Sequence, residues 1–270
     1  MKLFKIIISG LAVVSLASVY TSCKRELPGV AQITTDLSNA ASVQVFSATV
    51  KAQRNYVYVD GAPVSGTALA YGGVFPGTAY SFWVTPGSRS VTVKDTAVVT
   101  TQIPLTFSQA FDAGKSYTVF TYDTITSVKQ LTVLNTIVVP KDTSSRLRFA
   151  NFLYNSTPVT SVDVYSYRSI PGTPIYKSTT AYNNAAVFAP VFTSSTPVFT
   201  GIATNQVTAF IPYPSGLTDT LYVFAAGTTA PLLSKGAVQS LTPTRSYTSV
   251  YNGSYNGTLA ARLVTTFATY

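Results

Sequence analysis

Histidine is missing altogether from the 270 residues. That removes Ser-His-Asp and Cys-His catalysis, His-ligated zinc and imidazole-based pH switching. Cys23 is the single cysteine, so an intrachain disulfide and an iron–sulfur site are excluded as well. Acids are scarce: nine in all, with Glu26 the one glutamate, and none spaced as the Asp-x-Asp of a calcium loop. There is no Gly-x-Ser-x-Gly elbow, no Ser-x-x-Lys motif and no phosphate-cradling glycine loop; the Gly72-Gly73 pair sits in a turn-rich stretch with no nucleotide spacing. Beyond residue 23 no apolar run approaches the length of a membrane helix. No cofactor and no metal are implied. One enzymatic chemistry survives these absences, because a glycosidase needs only two carboxylates and these can come from distant strands.

What is present starts with an address. Met1-Lys2-Leu3-Phe4-Lys5 is a short basic start, Ile6 to Val19 is apolar, and Thr21-Ser22 lead directly into Cys23. Basic, apolar and small-residue regions in that order make a secretory signal. A cysteine at the cut point resembles a lipobox, with Tyr20 where leucine is usual. The expectation is a signal peptide over 1–22, lipidation at Cys23 and a polar tether over 23–30. The membrane partner is then reached through the N-terminal lipid, and the protein is an outer-membrane lipoprotein on the periplasmic face or the cell surface. Lys24-Arg25-Glu26 does not choose between the two.

The charge balance is basic, with 18 Lys and Arg against 9 acids. The bases stand singly; the densest groups are Lys24-Arg25 and Arg146-x-Arg148. Scattered positive charge speaks for solubility and a mild attraction to anionic polysaccharide, and against nucleic acid as a partner.

Thr, Val, Tyr, Phe and Ser dominate the remaining chain, a β composition. Apolar and polar positions alternate over Val43 to Val50, Tyr56 to Asp60, Ser90 to Asp95 and Tyr117 to Tyr122, with turns at Asp60-Gly61, Pro76-Gly77, Pro86-Gly87 and Asp112-Ala113-Gly114. The chain also repeats itself. Lys115-Ser116-Tyr117-Thr118 returns as Arg245-Ser246-Tyr247-Thr248, Tyr56 to Asp60 answers Ser161 to Tyr165, Thr101 to Phe107 answers Ala230 to Ala237, and each copy closes on an apolar strand, Leu131 to Val139 and Leu259 to Ala268. Tyr117 and Tyr247 suit a hydroxyl-to-backbone corner that pins a sandwich turn. The expected organisation is all-β: two tandem immunoglobulin-like β-sandwich domains, 31–140 and 141–270, joined by the short polar stretch 140–145.

Arg146-Leu147-Arg148-Phe149-Ala150-Asn151 followed by Val162-Asp163-Val164-Tyr165 resembles the opening of DUF4397, a family of domains of unknown function. In the first copy, Tyr58-Val59-Asp60-Gly61-Ala62-Pro63-Val64 resembles the family's second strand, and the Lys115 and Arg245 strands its later one. The resemblance implies tandem sandwiches on a secreted or lipid-anchored bacterial protein and supplies no activity.

Candidate sites are few. Tyr251, Asn252, Tyr255 and Asn256 read as a ligand loop of aromatic platforms and amides for a sugar, or as two Asn-Gly turns before the last strand. Asp95-Thr96, Asp123-Thr124 and Asp219-Thr220, each followed by a small or aliphatic residue, resemble acceptors of a bacterial O-glycosylation system at strand ends, with Thr96, Thr124 and Thr220 as the modified residues. Trp83 is expected in a sandwich core. The functional expectation is a non-enzymatic lipid-anchored envelope protein that binds, adheres or builds, with a polysaccharide or an envelope protein as partner. A strand-exchanging filament subunit or anchor and a carbohydrate-active hydrolase stand as alternatives.

Overall fold

The computed structural model describes residues 37–155, 157–168, 176–178, 186–188, 197–216, 218–228, 231–233 and 236–269. Apart from short 3-10 turns at Leu37–Asn39 and Leu259–Ala261, the regular structure there is β, as the composition requires. The stretch Leu259 to Ala268 is thus not one strand: its first turn is 3-10 and pairing begins at Leu263.

In the first half, β1 (Ala41–Ser47), β4 (Val74–Phe75), β5 (Phe82–Val84), β8 (Ser116–Tyr122) and β9 (Lys129–Leu134) form one sheet. The second sheet holds β2 (Asn55–Val59), β3 (Ala62–Pro63), β6 (Gly87–Asp95) and β7 (Leu105–Phe111), in the order β3-β2-β6-β7. The second half opens with β10 (Ser145–Tyr154) and β11 (Ser161–Arg168), then the hairpin β12 (Tyr176–Ser178) and β13 (Ala186–Phe188). After it come β14 (Phe199–Ala203), β15 (Gln206–Val207), β16 (Ile211–Tyr213), β17 (Thr218–Ala225), β18 (Ala237–Ser240), β19 (Ser246–Ser254) and β20 (Leu263–Ala268). Its sheets run β15-β10-β19-β20, with β16 also on β10, and β14-β11-β17-β18. The order of the first half returns here, with the β12–β13 hairpin inserted. Both halves place a parallel pair at the centre of one sheet, β1 with β8 and β10 with β19. That order differs from the ABED and CFG sheets of an immunoglobulin constant domain, while the layered sandwich is as expected.

Register carries the repeat down to single residues. Gln44 opposes Thr118 as Arg148 opposes Thr248, so Lys115 and Arg245 occupy equivalent positions one residue before Ser116 and Ser246. The repeated tyrosine does the same job twice. The Asp112 N–H donates to the Tyr117 hydroxyl at 3.1 Å, and the Thr242 N–H to the Tyr247 hydroxyl at 3.0 Å.

Each half has its own core. Val43, Val45 and Val119 meet Val57, Val59, Val91 and Val93 in the first; Leu147, Phe149 and Tyr251 meet Val162, Val164, Leu221 and Val223 in the second. A third core joins them. Phe46 and Phe120 of the first half pack with Phe152, Val250 and Phe267 of the second; Phe46 stacks on Phe267 at 5.4 Å and Phe120 lies 5.0 Å from Phe152. The β1–β8 sheet and the β10–β19 sheet therefore face each other, and their central strands are buried on both sides. This is why β1 and β10 are buried almost throughout while the outer β7 alternates exposed and half-buried residues along most of its length.

Candidate functional site

At one end of the two facing sheets lies a cleft of about 1190 Å³ lined by both halves. β5 brings Trp83 into its wall, half-exposed and paired across from Ser42 of β1. The expectation of a core tryptophan is corrected here: the face of β5 that carries Trp83 turns away from its own sandwich, whose core takes Val84 instead. Lys115 and Arg245, the basic residues of the repeated motif, line the cleft from opposite halves. So do Asn135 and Thr269, the equivalent residues after β9 and β20. Serine and threonine hydroxyls, with Leu134, Ile137 and Val139, complete the lining.

The walls are held by a buried polar chain. Arg148 is 1% exposed. Its Nε donates to Thr248 Oγ1 at 2.9 Å and its Nη2 to Thr118 Oγ1 at 3.0 Å, so one guanidinium spans both halves. Thr118 in turn donates to Asn135 Oδ1 at 3.1 Å, the Asn135 amide donates to Ser116 at 3.0 Å, and Thr248 shares a 2.7 Å hydrogen bond with Thr269. Phe210 covers the guanidinium at 4.6 Å. Burial pushes the Arg148 pKa down to about 9, which leaves it protonated at neutral pH. Gln44, the equivalent residue of the first half, also crosses over, donating to the Ala268 carbonyl at 3.2 Å.

Among the described residues the lining carries no Asp, Glu or Cys. Among the described residues, Lys115 and Arg245 take part in no ion pair; the pairs present are Arg54–Asp95, Arg89–Asp60 and Lys129–Asp123. The cleft offers an aromatic face, hydroxyls, an amide and positive charge, which is a binding chemistry. Its described lining holds no carboxylate pair of the kind a glycosidase uses.

The loop expected from Tyr251, Asn252, Tyr255 and Asn256 is corrected. Tyr251 and Asn252 are fully buried within β19, and the Tyr251 hydroxyl donates to the Leu232 carbonyl at 3.0 Å. Gly253 then keeps the strand against Arg262, whose Cα lies 2.9 Å from where a Cβ would stand. Of the four, Tyr255 and Asn256 reach the following turn, where the Arg262 guanidinium sits 4.8 Å over the Tyr255 ring.

The three Asp-Thr pairs are scattered. Thr96 is exposed after β6, and Asp95 beside it accepts from the Ala97 N–H and the Thr100 hydroxyl. Thr124 is half-buried, its hydroxyl 3.2 Å from that of Thr126. Thr220 is corrected from strand end to strand interior: it pairs with Tyr167 on one side and Val238 on the other. Cys23 lies outside the described residues.

The signal that points to the cleft was in the sequence. The repeat keeps a base, Lys115 or Arg245, just before its tyrosine strand, and a repeated charge at a strand start does nothing for a tyrosine corner.

No protein-family model and no curated protein matches the chain. Solved structures that align with it include a family 26 carbohydrate-binding module from Eubacterium rectale Amy13K in complex with maltoheptaose, at 13% identity and a TM-score of 0.22, over 83% of this chain and 95% of that one. Another is from work on α-glucan recognition by family 41 carbohydrate-binding modules of streptococcal virulence factors, at 10% identity and a TM-score of 0.24, over 78% of this chain and 92% of that one. At those scores the likeness carries no weight for fold or ligand.

Proposed function

We propose that this is a lipid-anchored envelope protein of the DUF4397 type that works by binding rather than catalysis, and that its ligand is a polysaccharide seated in the cleft between the two sandwiches. The cleft carries the reading. Its volume of about 1190 Å³ exceeds the usual range for small-molecule pockets of about 300–1,000 Å³, which suits a chain of sugars. Trp83 supplies a ring, while Ser42, Ser81 and Thr244, none of them buried, supply hydroxyl groups for sugar hydroxyls.

Trp83 is the one tryptophan in the chain, so its emission reports the cleft directly. Titration with a panel of envelope and plant oligosaccharides is expected to shift that emission and to protect it from acrylamide quenching. A panel that binds elsewhere, with Trp83 unmoved, contradicts the reading.

The anchor supports the same role. Ser38 lies on the cleft wall, and residues 23 and 37 are separated by at most about 50 Å of extended chain. Changing Cys23→Ala is expected to move the protein from the membrane fraction to the soluble one and to abolish incorporation of labelled palmitate; retention in the membrane with label intact contradicts lipidation.

A further inference from the structure

Resting on the reading of the cleft as a glycan site, we propose that the ligand is acidic: a sugar chain whose carboxylate is held between Lys115 and Arg245. These two side chains are equivalent by the repeat, exposed, and drawn from different halves onto one cavity. Among the described residues no carboxylate lines that cavity. Behind the wall stands a third cation, Arg148, whose partners are hydroxyls and rings rather than an acid. Both hydroxyls bond onward to cleft-lining residues, Asn135 and Thr269, so the buried charge is one side chain removed from the ligand. Charge buried in a poorly polarisable surround is weakly screened, and its potential reaches into the cleft. Positive side chains that share one cavity with no acid among its described lining disfavour one another; a ligand carboxylate turns that repulsion into attraction, and the planar fork of Arg245 suits it.

The test uses the full lipidated chain in a zwitterionic detergent, with Trp83 emission as readout. The probes are galacturonate, glucuronate and mannuronate oligosaccharides, each beside its carboxyl-reduced counterpart. An acidic form is expected to bind about tenfold or more tightly than its reduced partner, with an affinity that falls as salt rises. Lys115→Gln and Arg245→Gln are each expected to weaken that form about three- to tenfold and so to narrow its advantage over the reduced form; both residues are exposed, so the fold is retained. Equal binding of acidic and reduced forms overturns the charge inference and leaves the glycan reading standing. Silence of Trp83 toward all of them removes both. A response to phosphatidylglycerol vesicles without a response to any saccharide overturns the proposal in favour of a lipid headgroup.

Discussion

Phe152→Ala is expected to lower the unfolding free energy by about 3–5 kcal/mol. Phe152 is 2% exposed. Although it belongs to β10, its ring lies 5.0 Å from Phe120 and 5.2 Å from Tyr122, both on β8 of the other half. Truncation opens a cavity in the core that the halves share rather than in either sandwich. The unfolding curve should therefore change shape as well as midpoint. Wild type is expected to unfold in urea as one unit by Trp83 emission and by circular dichroism. In Phe152→Ala the two probes should separate, since Trp83 reports the cleft between the halves and circular dichroism the strands of both. A cycle with Phe120→Ala should recover a coupling of about 0.5–1.5 kcal/mol for the ring pair. Unchanged stability with coincident transitions would mean that the sandwiches are independent modules, and the cleft would lose its fixed width.

Arg148 should separate stability from binding. Arg148→Ala removes a large buried side chain and the donor to two buried threonine hydroxyls; the expected loss is about 2–4 kcal/mol. Arg148→Met keeps the stem and discards the charge. The discarded charge carries a desolvation cost and has no acidic partner among the described residues, so this variant should melt well above the alanine one and near or above wild type. Burial already holds the guanidinium down at about 9. The sign follows: with the folded pKa below the unfolded one, the buried charge opposes folding at neutral pH, and that penalty is relieved only as pH rises above about 9. If Arg148→Met melts higher yet binds the acidic oligosaccharide several-fold more weakly, the charge is retained for the ligand. A methionine variant as unstable as the alanine one would assign Arg148 to the scaffold.

Much of the fold is legible in the sequence. Alternation and Gly/Pro turns located β2, β6 and β8, and the Lys-Ser-Tyr-Thr and Arg-Ser-Tyr-Thr match fell on equivalent strands with equivalent tyrosine corners. The facing of the halves was not legible. A strand buried on both sides differs from one buried on one side only in what its second face carries, and here that face mixes Gln44, Phe46, Thr118 and Arg148 with apolar residues. Polar residues in those positions read as solvent-facing until their partners across the interface are known. The same ambiguity hid the site. Trp83 has the size of a core residue, and only the pairing of β5 with β1 shows which way it turns. Tyr251 and Asn252 failed as a loop because an Asn-Gly pair marks a turn only where the chain leaves the sheet, and Gly253 stays in β19.

The most direct test is a structure of the protein with an acidic oligosaccharide bound. A sugar ring on Trp83, with its carboxylate within hydrogen-bond distance of Lys115 or Arg245, is the result expected. A ligand on the outer face of β2, β6 and β7, or at the turn of Tyr255 and Asn256 with the cleft empty, would contradict it.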